Sequence, residues 1–334
     1  MSAWRSPIDR ALPCGPATPC GRTPSGISFL MATRPQFPDE QSNAGEFKRQ
    51  PDEFRDWVRR DGSTPYRPEP GRYHLYISLA CPWACRTLII RNLKRLGRVI
   101  GVTVADPIRT DQEGWAFRDG PGYSTDPVNG FRFLREAYLA TNPRYRGRWT
   151  VPVLWDKKTG RIVNNSEDDI CLMLNSEFGA PKGTPDLFPA GIAARQAALS
   201  KRIHDHVNNG VYRAGFATQQ AVYEKAARSV FACLDELEAR LRRSRFLFGD
   251  KPVETDWRLF CSLVRFDAVY HGHFKCNIRR IVDYSHLQRY LRRLYRIPGV
   301  AKTVNFDHIK RHYYVTHNEI NPTRIVPIGP ELDL

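Results

Sequence analysis

Cys81-Pro82-Trp83-Ala84-Cys85 is the stretch of this 334-residue chain best equipped for chemistry. It stands where a strand-like run, Tyr73-His74-Leu75-Tyr76-Ile77-Ser78, gives way to a helical one. Cys81 therefore meets the unpaired N–H groups and the positive dipole end of a helix, which favour thiolate over thiol. Thiolate is the nucleophilic form. Arg86 and Arg91 add positive charge nearby in sequence. Cys85 lies one turn into the helix, where an intrahelical disulfide with Cys81 would strain the backbone, so it reads as an inert, buried thiol.

A cysteine that works alone needs an external thiol to resolve the disulfides it forms, and glutathione is the obvious one. Val151-Pro152 opens a later strand, the place where a cis-proline loop would offer its backbone to an extended peptide ligand. His271, His273 and Cys276, and the i,i+4 pair His308 and His312, bring metal to mind, but neither set completes four ligands at a recognised spacing. No metal is expected, and the two C-terminal histidines are expected to share a helix face in structural roles.

These residues need elements to hold them. After the first strand, Pro82 opens a helix through Leu96, with Leu88, Ile89, Leu93 and Leu96 at helical spacing. Arg98–Val104 reads as a second strand, followed by a Gly/Pro/Asp-rich insert over 105–147 with a short helical piece near Phe133–Leu139. Residues 151–156 and 161–165 form a hairpin, and a helix runs over 167–178. The order β-α-β-(insert)-β-β-α is thioredoxin-like, so an α/β domain is placed at 46–180. A Pro/Gly-rich linker leads into a half with helical stripes only, such as Ala226, Val230, Cys233, Leu234, Leu237 and Leu241. Residues 190–334 are therefore an all-α domain. Residues 1–45 form a Pro-rich extension, with four arginines and one acid through residue 35, and are expected to be disordered.

The segments HLYISLACPWACRTLI, GRWTVPVLWDKKTGRIVNN, VNNGVYRAGFA, RFDAVYHGHFKCN and TVNFDHIKRHYY resemble the Xi-class glutathione transferases, the glutathionyl-hydroquinone reductases. The resemblance runs from about residue 40 to about residue 330. It implies a thioredoxin-like domain, an all-helical domain, a homodimer, and glutathione as co-substrate with no bound cofactor. It also implies the reaction, reductive removal of glutathione from glutathionyl-hydroquinones by a second glutathione. By position, Cys81 is the nucleophile and Trp115 packs on glutathione. Arg148 and the Val151 backbone anchor glutathione, and Tyr212, Tyr270 and Tyr313 line an aromatic substrate pocket, with Tyr212 and Tyr313 as proton donors. An Omega-like thiol transferase or dehydroascorbate reductase is the alternative enzyme. A non-catalytic binding module of the same fold is the alternative outside catalysis.

The chain departs from the family pattern at two places. Ser166-Glu167 stands after Asn164-Asn165 where the family has Glu-Ser, so either Ser166 caps the helix or Glu167 holds the ammonium of glutathione. Val253 stands where Ser or Thr normally caps a helix, a loss of about 1 kcal/mol, with Asp256 still favourable in the first turn.

Composition excludes other classes. No run approaches the roughly 18 apolar residues of a membrane span. The net charge of +16 invites a nucleic-acid reading, yet the runs Arg240–Arg245 and Arg289–Arg296 lack interleaved aromatics and read as solvated helix faces. Scattered cysteines and the lack of an apolar N-terminal run suggest a reducing, cytoplasmic compartment. The alternative is an organelle, should residues 1–30 be a transit peptide. Met31 is a second candidate start.

Overall fold

Five strand formers, Tyr73–Ile77, make β1, and all five are buried. The computed structural model describes residues 38–334, so the reading of residues 1–37 lies outside the described residues. β1 pairs in parallel with β2 (Gly101–Val104) and antiparallel with β3 (Val153–Asp156), which pairs antiparallel with β4 (Arg161–Asn164). The sheet order is β2-β1-β3-β4, the thioredoxin-like arrangement that the element order predicts. The long insert buries polar side chains of β1. Tyr76 donates its phenol to Asp126 at 3.1 Å and accepts from Asn129 at 2.7 Å, while His74 lies 2.7 Å from the Thr103 hydroxyl.

Pro82 opens α1 (Pro82–Leu93), which ends three residues before the predicted stop, with Arg95 in the left-handed region. The second strand is shorter than predicted because residues 98–100 form a turn after α1. α2 (Leu134–Thr141) packs on β4, and α3 (Glu167–Ser176) packs against α1.

The second half is helical: α4 (Ala193–Ile203), α5 (Gly210–Gly215), α6 (Gln220–Leu241), α7 (Glu254–Arg265), α8 (Ser285–Tyr295) and α9 (Phe306–Arg311). The apolar stripe of α6 is buried, as its period predicts. α7 is buried along its whole length, polar residues included. At its start Asp256 accepts from the Val253 N–H at 2.8 Å and the Leu247 N–H at 2.9 Å, which keeps half of the capping arrangement that Val253 cannot complete. π-helical turns follow α4, α7 and α9, over His204–Asn208, Phe266–Tyr270 and His312–Thr316. No described helix is long and apolar enough to cross a membrane.

A buried ion network joins the two halves. Arg86 on α1 reaches Glu254 on α7 at 2.5 Å, and Asp168 and Glu167 on α3 at 2.5 and 3.1 Å. Arg258 pairs with Glu254 at 3.1 Å and also meets Asp168. Residues 38–45, expected with the disordered extension, are instead folded. Pro38–Glu40 is a 3-10 turn, Gln41 bridges to Phe47, and Glu40 is buried against an arginine of the insert's edge, Arg148. That paired carboxylate is what allows the stretch to pack.

Candidate functional site

Cys81 is the residue before α1, and its sulfur points into a cleft of about 620 Å³ between the two halves. The thiol donates to the Val151 carbonyl at 3.5 Å, and the Val151–Pro152 peptide is cis, as its position before β3 led us to expect. The N–H groups of Trp83 and Ala84, with Arg265 and Arg49, pull toward thiolate, but burial outweighs them and pushes the Cys81 thiol up to about 11. This corrects the expectation of a depressed thiol based on the helix end alone. The neighbouring charge also has a different source. Arg86 points to the acids of α3 and α7, and Arg91 donates to the carbonyls of Gly97 and Ile100. Cys85 is buried against Thr303, its sulfur 3.6 Å from that carbonyl, and hydrogen bonds from Cys261, Thr303 and Arg265 pull its thiol down despite burial, against the expectation of an inert thiol.

The tyrosines form a hydroxyl chain. Tyr212 and Tyr313 lie oxygen to oxygen at 2.5 Å and both line the cleft. Tyr270, expected on the wall, stands behind it, fully buried and 3.0 Å from the Tyr313 hydroxyl. Burial raises the pKa of all three, so they are neutral phenols able to donate. Each is carried by or follows a π-helical turn, a device that re-aims side chains and recurs at functional sites. Sequence periodicity gives no sign of such turns.

Trp115 stacks on His312, ring centroids 5.0 Å apart, and lines the cleft beside the thiol. His312 directs its ring N–H to the Pro107 carbonyl and His308 directs its own to that of Pro121, each at 2.7 Å. The shared helix face therefore clamps the insert that presents Trp115. Arg148 pairs with Glu40, and Arg49 and Arg109 stand on the same wall. The Nε of Arg49 and Nη1 of Arg109 are buried without a hydrogen-bond partner among the described residues. Guanidinium groups with unused donors suit a carboxylate ligand.

Beyond Arg148 the cleft continues into a polar hollow lined by Asp52, Asn165, Ser166 and Glu167. Ser166 precedes α3 but makes no capping bond through its hydroxyl, so the capping alternative fails. Its N–H instead donates to the Asn164 side chain at 2.8 Å. Glu167 faces the hollow yet also pairs with Arg86 at 3.1 Å. Asp52 is the acid that sequence reasoning missed. Burial, reinforced by Glu167, pushes its carboxyl up to about 7. A half-buried acid beside further carboxylates is a natural seat for an ammonium group. Arg49 and Asp52 come from the irregular stretch before β1, which has no period to mark it, and Trp83 and Phe216 line the cleft from within segments already singled out.

Two family models match the chain: glutathione S-transferase, N-terminal domain, over residues 80–177, and glutathione S-transferase, C-terminal domain, over 220–293. Glutathionyl-hydroquinone reductase YqjG of Escherichia coli is 47% identical over 306 residues, covering 89% of this chain and 92% of that protein. Glutathionyl-hydroquinone reductase PcpF of Sphingobium chlorophenolicum is 45% identical, covering 87% and 92%. Among solved structures, the glutathione transferase Xi of Phanerochaete chrysosporium superposes with a TM-score of 0.83 at 47% identity, covering 85% of this chain and 97% of that one. The glutathione-bound structure of YqjG gives a TM-score of 0.81 at 47% identity, covering 84% and 94%.

Proposed function

Because the chain belongs to the glutathione transferase family, we propose that it is a glutathione-dependent reductase of glutathionyl-hydroquinones, with Cys81 as nucleophile. The observation that carries this reading is the meeting, in one cleft, of the Cys81 thiol with the paired hydroxyls of Tyr212 and Tyr313. Disulfide exchange alone has no use for two linked phenols next to the nucleophile, so the arrangement favours this reading over an Omega-like thiol transferase. A binding module would need neither group.

The glutathionyl part of the substrate lies along the Val151 backbone and Trp115, its carboxylates toward Arg148, Arg109 and Arg49 and its ammonium toward Asp52 and Glu167. The ring extends toward Tyr212 and Tyr313. Cys81 thiolate attacks the glutathionyl sulfur. The carbon–sulfur bond breaks, the ring carbon takes up a proton from the phenol chain, and hydroquinone leaves. Cys81 is left in a mixed disulfide with glutathione. A second glutathione attacks that disulfide, releasing oxidised glutathione and restoring Cys81. One thiol and the thioether sulfur become the disulfide, each giving up one electron, and the ring carbon gains both with the proton, so electrons balance without a bound redox cofactor. The phenols suit the proton step because they hydrogen-bond the quinol oxygens while staying protonated.

Incubation with glutathionyl-menadiol and glutathione should yield hydroquinone and oxidised glutathione in equal amounts. Full activity in a Cys81→Ala variant would sink the proposal. We take the assembly to be a homodimer and the compartment to be reducing and cytoplasmic, on the sequence reasoning above. Light scattering and localisation of the full chain check the two.

A further inference from the structure

Arg265, the last residue of α7, is completely buried, and among the described residues no carboxylate pairs with it. Its guanidinium meets carbonyls of the 79–81 loop and of its own helix, and lies beside the Cys85 thiol. Nε donates to Ala80 at 3.0 Å, and Nη2 donates to Leu79 at 3.0 Å and reaches the Cys81 carbonyl at 3.5 Å. Nη1 closes back on the Cys261 carbonyl of its own helix at 2.9 Å. Three consecutive carbonyls that end at the nucleophile are thus held from the opposite domain by one cation.

A guanidinium is an expensive group to bury without an anion, and holding a loop does not by itself require a full positive charge. The acids that face it are thiols and phenols: Cys85 on α1, Cys261 on α7, and Tyr270 and Tyr313 from the two π-helical turns, with Cys81 beyond the carbonyls it holds. From the cleft side Cys81 also faces Arg49 and Tyr212. The Leu79 and Ala80 carbonyls accept from the guanidinium, which offsets their negative ends.

We propose that Arg265 is the positioning residue and resident counter-cation of Cys81, fixing the 79–81 backbone so that the thiol enters the cleft and compensating the thiolate when it forms. This rests on the reading of Cys81 as nucleophile, and it assigns the positive charge that helps to stabilise a thiolate in a buried site to the helical domain rather than to α1 alone.

The test is alkylation of Cys81 in the full chain by iodoacetamide, followed at the Cys81 peptide by mass spectrometry across a pH series. It reads the thiol and not turnover, so it stands or falls separately from the reductase activity. Arg265→Lys keeps the charge and loses the fork. Its inflection should match wild type while kcat falls, because the loop is held by fewer bonds. Arg265→Gln removes the charge, and its inflection should rise by a pH unit or more, slowing alkylation at neutral pH roughly tenfold. A folded Arg265→Gln protein with the wild-type inflection overturns the proposal. If that variant does not fold, Arg265→Lys decides alone: an inflection displaced upward by a unit overturns it, and an unchanged one with lowered kcat supports it.

Discussion

Tyr313→Phe removes the hydroxyl at the centre of the phenol chain. That oxygen lies 2.5 Å from Tyr212 and 3.0 Å from Tyr270, and all three rings are buried. Each buried hydrogen bond contributes about 1 kcal/mol net, so losing both contacts should cost roughly 2 kcal/mol. In a chain of 334 residues the unfolding entropy is about 0.7 kcal/mol/K, so 1 kcal/mol is worth about 1.4 °C and Tm should fall by roughly 3 °C. The same change removes a proton donor at the cleft wall, worth about 10²- to 10⁴-fold in turnover. Tyr212→Phe breaks one contact at the wall, so turnover should fall comparably with about half the loss of Tm. Tyr270→Phe breaks one contact behind the wall and should cost a similar 1 kcal/mol, but less than about tenfold in turnover. Thermal melts and turnover of glutathionyl-menadiol on the three variants give the ranking. A Tyr270→Phe enzyme as slow as Tyr313→Phe would refute the placement of Tyr270. So would a Tyr313→Phe protein that melts with wild type.

Arg86→Met removes one of the two cations that Glu254 and Asp168 share at the seam between the halves and leaves them to Arg258, so the loss should be about 3 kcal/mol, measured by urea unfolding. The Asp52 carboxyl, held at about 7 by burial, must ionise to receive the ammonium of glutathione, so KM for glutathione should rise as pH falls from about 8 to about 6, and Asp52→Asn should flatten that dependence. Because its folded value is raised, the Asp52 carboxylate is a stability cost that sets in as pH climbs from the unfolded value toward 7. Asp52→Asn should therefore melt above wild type at about pH 8 and alongside it at about pH 4. Val253→Thr restores a capping hydroxyl next to the Asp256 N–H and should stabilise by about 0.5–1 kcal/mol in the same unfolding assay.

The parts of the site encoded by backbone geometry were legible in the sequence. Cys81 was visible because a strand, a proline and a helical period fix where a helix begins, and Val151-Pro152 because it opens a strand in a recognisable order. Side-chain direction was not legible. Arg86 and Arg91 sit near the thiol in sequence, yet one is drawn to the acids of α3 and α7 and the other to two carbonyls. Glu167 was identified as facing the ligand, but its pairing with Arg86 depends on a helix that lies far along the chain. Tyr270 fell behind the wall because π-helical turns rotate the residues they carry by an amount that apolar spacing does not record. Arg49, Asp52 and Glu40 were missed for the opposite reason: they lie in a stretch without period, where Arg49 sits over the Trp83 and Tyr212 rings and Glu40 pairs with Arg148.

In the proposed reaction Cys81 takes the glutathionyl group from the aromatic ring. A single-turnover reaction with glutathionyl-menadiol and no free glutathione, followed by mass spectrometry of intact protein and of the Cys81 peptide, tests it most directly. One hydroquinone should be released per active chain, with a glutathione disulfide left on Cys81 that added glutathione removes. Release of hydroquinone with Cys81 unmodified would contradict it.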